Sequence, residues 1–395
     1  MTTANEELLR RYETSVLSVF GRPPLVLSHG DGCWVWDVDG KRYLDLVGGI
    51  AVNALGHGHP ALVAAISKQA AEAIHVSNLF TTPNQIALAE RLLGIADAPA
   101  GSRVFFANSG AEAIEAAIKL SRRTGRSAIV AAEGAFHGRT TGALALTHKA
   151  TYREPFAPLI PGVSHVPYGD EAALRAAVGP TTGAVVLEPV QGEAGVLEPG
   201  ATYLQLAREL TTEHGALLIV DEIQTGIGRT GTWFAFQQAG IVPDAITLAK
   251  GLGGGVPIGA LVTFGAEVSG LLTAGQHGST FGGNPLAAAA GLAVIATIEE
   301  QGLLDHATKA GEHLVEAVRA LDHPLVTGVR GRGLLRAITL AAPVAAAVAA
   351  AARDAGFIVN PVAPDALRLA PPLVVTTEQL DSFVAALPAL LDGVS

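Results

Sequence analysis

A single cysteine, Cys33, is all that the 395 residues contain, so no disulfide can form within the chain, and no Cys/His spacing resembles a zinc site. A reducing cytoplasm suits such a chain. Charge is scarce as well: Asp, Glu, Lys and Arg make up 16% of the residues. Positive charge is the scarcer sign, with 26 Lys and Arg against 36 Asp and Glu and a formal net charge of −10. That balance argues against nucleic acid or an anionic membrane surface as the main partner and favours small metabolites. Long apolar runs are missing too. The longest uncharged alanine-rich run, Ala341 to Ala352, has a proline near its start and is too short to cross a bilayer. Residues 1–20 carry Glu6, Glu7, Arg10, Arg11 and Glu13 and lack the charge-then-apolar order of a signal peptide. What is present is 49% hydrophobic residues, ample for a large core, in a chain long enough for two or three domains.

The apolar residues are patterned. Leu8, Leu9, Tyr12 and Val16 recur at helical spacing and predict an N-terminal amphipathic helix. Cys33 to Val38 leads through Asp39-Gly40, a hairpin signal, into Tyr43 to Val47. From about Pro60, short apolar strands alternate with helical segments: Arg103 to Ala107, Ala128 to Ala132, Ala184 to Leu187, Ala216 to Val220, Ile246 to Ala249 and Ala260 to Phe264, with helices near 110–123 and 201–213. This alternation predicts an α/β fold with a mostly parallel sheet covered on both faces. A long helix is expected after Asn284-Pro285. Strands near 334–339 and 366–369 and helices near 343–354 and 377–391 would then form a smaller α+β lobe. The expected division is residues 1–55 and 291–395 in the small domain and residues 56–290 in the large one.

Lys250 follows one apolar run and precedes the glycine-rich stretch Gly251-Leu252-Gly253-Gly254-Gly255; Asp221, 29 residues upstream, closes another. If both runs are parallel strands, an amine and a carboxylate share the rim of an open sheet where ligands bind. Alone, such a pair is more often a loop charge and a helix cap. Other segments add to it. Ser109 can cap a helix after the strand Arg103 to Ala107, and Gly110 lets backbone approach an anion there. Phe136 is a candidate to stack on a planar ring, Arg139 to hold a carboxylate through its planar fork. Arg368 is a second candidate clamp, although an arginine between Leu367 and Leu369 in a strand usually points at water. Glu193 is a plausible countercharge for one arginine, and Gln224 lies three residues past Asp221.

Six segments, Asn108-Ser109-Gly110-Ala111-Glu112-Ala113, Phe136-His137-Gly138-Arg139-Thr140, Glu188-Pro189-Val190-Gln191-Gly192-Glu193, Asp221-Glu222-Ile223-Gln224-Thr225-Gly226, Ala249-Lys250-Gly251 and Gly278-Ser279-Thr280-Phe281-Gly282-Gly283-Asn284-Pro285, occur in this order. They resemble the ordered signatures of the class III, fold-type I, pyridoxal-phosphate-dependent aminotransferases, with similarity from about Val26 to the C-terminal helix. The resemblance implies Lys250 as the Schiff-base lysine and Asp221 as partner of the pyridinium nitrogen. It implies Gln224 on the phenolate, Phe136 stacked on the ring, and Ser109, Gly110 and Ala111 at the phosphate. Thr280, together with Ser279, would reach in from a partner subunit, which implies a homodimer. The substrates implied are N-acetylornithine and 2-oxoglutarate or glutamate, with Arg139 on the distal carboxylate, Arg368 on the α-carboxylate of glutamate, and Glu193 neutralising Arg368 in between. Ala111 departs from the commoner Ser-Gly-Thr-Glu-Ala wording, leaving only backbone to hold phosphate there. Members acting on free ornithine carry tyrosines at the positions matching Phe20 and Ile50, whose absence favours an acylated substrate.

Two competing patterns carry less. Gly226-Ile227-Gly228-Arg229-Thr230-Gly231 is a formal GxGxxG, with Asp244 about where a ribose-binding acid of an NAD-dependent dehydrogenase would lie. Its first glycine comes five residues past Asp221, too late for the tight turn, and no clear helix follows. His57-Gly58-His59 has no third ligand nearby and reads as loop before a helix at Pro60.

Overall fold

The computed structural model describes residues 3–394. Thr3 caps the N-terminal helix Ala4–Ser15 by accepting the Glu6 N–H, and Leu9 is the residue of that helix buried on the body. Strands β1 (Leu27–Asp31), β2 (Trp34–Asp37) and β3 (Arg42–Asp45) form an antiparallel meander. Its β2–β3 turn uses Gly40 at φ 88°, and Asp37 accepts the N–H groups of Asp39 and Lys41 across it.

The central sheet comprises β4 (Arg103–Ala107), β5 (Ala128–Ala132), β6 (Val163–Val166), β7 (Thr182–Leu187), β8 (Leu217–Asp221), β9 (Ala245–Leu248) and β10 (Gly259–Thr263), in the spatial order β4-β10-β9-β8-β7-β5-β6. Every pairing is parallel except those of β10, which runs against both β9 and β4. The connection 249–258 is too short for the crossover a parallel neighbour needs. Period-two alternation sends Ile129, Ala131, Val186, Ile219 and Leu261 to a core beneath the helix Gly110–Arg122. Val130, Val185, Leu187, Leu218, Val220, Ile246 and Val262 go to the other, larger core. The near-continuous apolar runs in the sequence follow from this double coverage. β6 was not anticipated, because Ser164 and His165 interrupt its apolar pattern.

The last third adds β11 (Val326–Arg332), β12 (Leu335–Leu340), β13 (Phe357–Ile358), β14 (Asn360–Ala363) and β15 (Ala366–Leu369). β11, β12, β15 and β14 make one sheet in that order, while β13 pairs in parallel with β3 and so joins the first sheet. The helices Pro285–Glu300, Leu303–Arg319, Ala345–Asp354 and Thr377–Asp392 accompany them. Among the described residues no single helix is long and apolar enough to cross a membrane.

Candidate active site

Strands β4, β5, β7, β8 and β9 point the same way, so the residues just past their carboxyl ends gather on one rim. Asp221 ends β8 opposite Thr247 of β9, and Lys250 stands three residues further along, at φ 42° in the turn Lys250–Gly253. A cavity of about 460 Å³ opens there, lined by Ser109, Gly110, Ala111, Phe136, Arg139, Asp221, Gln224 and Lys250.

Asp221 is held on both oxygens. Oδ1 accepts the Ile223 N–H and the Thr247 hydroxyl, each at 3.0 Å, and Oδ2 accepts from His137 Nδ1 at 2.6 Å. Both side chains are buried. Burial pushes the His137 imidazole down, but the Asp221 carboxylate outweighs it and leaves the imidazole above its usual range. Three donors on two oxygens fix the carboxylate in direction. Beside it, burial pushes the Glu188 carboxyl up to about 8, and its Oε2 accepts the Phe136 N–H at 3.2 Å. His137 and Thr247 had no role in the sequence reading. The clue was there: a hydroxyl in an otherwise apolar strand, one pairing away from the acid.

Lys250 feels the same desolvation. Burial pushes its amine down to about 8, against the opposing pull of Glu193. Arg368, the second candidate clamp, does not point at water as an arginine between two apolar strand residues usually does: it is 1% exposed. It shares a face of β15 with Ala366, pairs with Ala337 of β12, and that face packs on Val190 and Val196. Its guanidinium is bridged to Glu193, donates to Gln224 Oε1 at 3.1 Å and to Asn360 Oδ1 at 2.8 Å, and leaves Nε without a partner among the described residues. Gln224 Nε2 donates to Glu193 at 3.3 Å. Burial raises the Glu193 carboxyl, but Arg368 and then Lys250 outweigh it and hold it below its usual range. Asn360 is the member of this network that sequence reasoning missed.

At the cavity's other end, Ser109 caps the helix Gly110–Arg122, accepting the Glu112 N–H at 3.2 Å. The amides of Gly110 and Ala111 open the helix and have no carbonyl within it to bond. A Cβ at Gly110 would come within 2.7 Å of Ile223, so the helix start approaches the Asp221 strand as closely as glycine allows. Helix amides for a phosphate, an aromatic face, a fixed carboxylate for a ring nitrogen and an amine for an aldehyde form the donor set that pyridoxal phosphate needs. The residues present fit that cofactor.

Ser279 and Thr280 do not line this cavity. Ser279 Oγ bonds Asn108 Nδ2 and the Gly282 N–H, both at 3.0 Å. Thr280 is exposed in a small hollow with His75, Asn78 and Phe80. Phe20 is 91% exposed, and Ile50 sits at φ 65°, a strained setting for a β-branched residue. Residues 226–231 form turns rather than a strand-to-helix entry, and Asp244 is tied to Arg208 at 2.8 Å and to the Leu218 N–H, which removes the dehydrogenase reading. His57 bonds Asp45 at 2.9 Å, and His59 precedes the helix Pro60–Glu72.

Residues 19–391 match the model of the aminotransferase class-III family, and the chain belongs to that family; its cofactor is pyridoxal phosphate. Among its relatives, the acetylornithine aminotransferase of Mycobacterium tuberculosis is 55% identical over 391 residues, covering 99% of this chain and 98% of that one. A crystal structure of acetylornithine aminotransferase from Elizabethkingia anophelis superposes with a TM-score of 0.88 at 34% identity, covering 99% of this chain and 100% of the other. The ornithine aminotransferase of Toxoplasma gondii superposes with a TM-score of 0.93 at 31% identity, covering 100% and 96%.

Proposed function

We propose that this chain transfers the terminal amino group of N2-acetyl-L-ornithine to 2-oxoglutarate, giving N-acetyl-L-glutamate 5-semialdehyde and L-glutamate, as a step of arginine biosynthesis in the cytoplasm. The observation that carries the reading is the Glu193–Arg368 bridge beside Lys250. Two substrates must use one site: acetylornithine reacts through an amine far from its carboxylate, whereas glutamate reacts next to its α-carboxylate. A buried arginine already matched by a countercharge whose side chain is 32% exposed serves both. With Glu193 in place, Arg368 is masked while the terminal amine reacts; with Glu193 displaced, Arg368 takes the α-carboxylate. Arg139, which has no ion-pair partner among the described residues, takes the distal carboxylate of either substrate.

Bound in the cavity, pyridoxal phosphate supplies an aldehyde for the amine and a ring that draws electrons from the carbon losing its proton. The chain's own residues do the rest. Asp221, braced by His137, Thr247 and the Ile223 N–H, holds the proton of the ring nitrogen. Gln224 keeps one amide hydrogen free of Glu193 for the phenolic oxygen. Ser109 and the Gly110 and Ala111 amides hold the phosphate, and Phe136 covers a ring face. Lys250 Nζ, neutral in a large share of molecules near pH 8, takes the proton from the amine-bearing carbon.

The same reading makes the protein a homodimer. Leu79 is 87% exposed, and Phe80 and Phe281 are also largely exposed. Asn78 binds the loop of Ser279, and Phe281 packs on His75, so these residues form one apolar surface. Burying it against a second copy would carry Thr280 to the neighbouring cavity.

The deciding experiment is amino transfer to 2-oxoglutarate from a panel of N-acetylornithine, succinylornithine, succinyldiaminopimelate and free ornithine. Acetylornithine should give the highest kcat/KM; a preference for free ornithine rejects the assignment.

A further inference from the structure

Arg139 has no carboxylate within ion-pair range and no hydrogen-bond acceptor among the described residues, yet its guanidinium is not loose. Its Cζ lies 3.3 Å from the ring centre of Tyr152 and 5.6 Å from that of Phe136. At 3.3 Å only face-to-face stacking fits, since an edge-on guanidinium would drive its hydrogens into the ring. Stacking covers a face of the guanidinium and leaves its in-plane N–H edges unclaimed. Those edges are what a carboxylate binds in the two-pronged manner. Arg368 offers the contrast: its N–H groups are largely spent on Glu193, Gln224 and Asn360.

Tyr152 is placed for this task. It lies in the short helix Ala150–Arg153, outside the residues that line the cavity, and is half-buried while Arg139 is exposed. Lys149 Nζ lies 4.8 Å from the same ring, so the ring carries a second cation. The helix is tied back to the loop before it by Arg153, whose Nε donates to the His148 carbonyl at 3.1 Å.

We propose that Tyr152 is a positioning residue for carboxylate recognition: its ring fixes the plane of Arg139, so that the cavity meets the substrate with a preset guanidinium fork. The inference rests on the assignment of Arg139 to the substrate's distal carboxylate. An untethered exposed arginine samples many rotamers and loses that freedom on binding, so removing the ring weakens binding without touching the chemistry.

The test uses the holoenzymes of Tyr152→Leu, Tyr152→Phe and Arg139→Ala. Three readouts are compared: KM and kcat for acetylornithine, the same constants for a terminal alkylamine donor without a carboxylate, and calorimetric binding of glutarate, an unreactive dicarboxylate. Tyr152→Leu should raise the acetylornithine KM and the glutarate Kd about three- to tenfold, leaving kcat and the alkylamine constants nearly unchanged. Tyr152→Phe, which keeps the ring, should restore wild-type values. A Tyr152→Leu enzyme with unaltered glutarate affinity, beside an Arg139→Ala enzyme that has lost it, overturns the role of Tyr152 and leaves Arg139 standing. Equal losses with the carboxylate-free amine also overturn it. Unaltered affinity in Arg139→Ala removes the assignment on which the inference rests.

Discussion

Among single residues, the burial of charge decides what this site can do. Lys250 loses hydration faster than Glu193 and Asp221 restore favourable charge, and its amine drops to about 8. A depressed pKa means that the reactive neutral amine gains as pH rises and levels off above that value. Uptake of pyridoxal phosphate by the apoprotein, followed by the growth of its visible absorbance, should therefore quicken about tenfold per pH unit below pH 7 and flatten above about 8. A rate still climbing tenfold per unit at pH 9 contradicts this. Glu193 is the second residue-scale test. Removing it strips the countercharge from a buried guanidinium, so Glu193→Ala should slow the terminal-amine half-reaction more than the glutamate one, by roughly tenfold or more if a few kcal/mol of pairing is lost. Single-turnover absorbance traces read the two halves separately, and equal slowing would reject the switch.

The site's shape is set by elements that meet where side chains are absent. Gly259 of β10 pairs with Ala107 of β4, the residue before the turn that opens the helix Gly110–Arg122, proposed to hold the phosphate. A Cβ at Gly259 would overlap the Ser109 carbonyl oxygen, which is backbone and cannot swing aside. Gly259→Ala should thus push the helix start off its place and weaken cofactor affinity by about tenfold, with about 1–3 kcal/mol of lost stability; equilibrium dialysis and a melting curve check the two effects. The elements themselves were largely legible. Continuous apolar runs marked β5, β7, β8 and β9, and Ser109 announced the helix it caps. β6 and β11 were not, since Ser164 and His165 break the pattern of one and Gly328 and Gly331 thin the other. For Arg368 the strand pattern left both a clamp and a water-facing charge open, because alternation along a strand tells which residues share a face, and not what covers that face.

For the whole molecule, the proposed homodimer requires that Thr280 serve the cavity of a second copy. Lys250→Ala and Thr280→Asp chains should each be nearly inactive, the first lacking the amine and the second placing a carboxylate where phosphate belongs. Mixed under conditions that let subunits exchange, half of the dimers pair one chain of each kind and hold one intact site. Activity should then recover to about a quarter of the wild-type level. Recovery no greater than the average of the two parents would show that Thr280 does not act across an interface.

Order along the chain determined the family. Six short segments in fixed succession specify a strand end, a capped helix, a loop bearing Phe136 and a lysine, because each is a local arrangement that nearby residues impose by themselves. The fold alone decided the partners. Parallel pairing of β8 with β9 brought Thr247 to Asp221, the parallel order β8-β7-β5 let the loop after β5 bring His137 there, and packing of β15 on the 190–196 segment turned Arg368 inward to Glu193 and Asn360. Residues far apart in sequence meet only when sheet order and layer packing are set, and burial, which sets the charge states of Lys250 and Glu188, exists only after they have met.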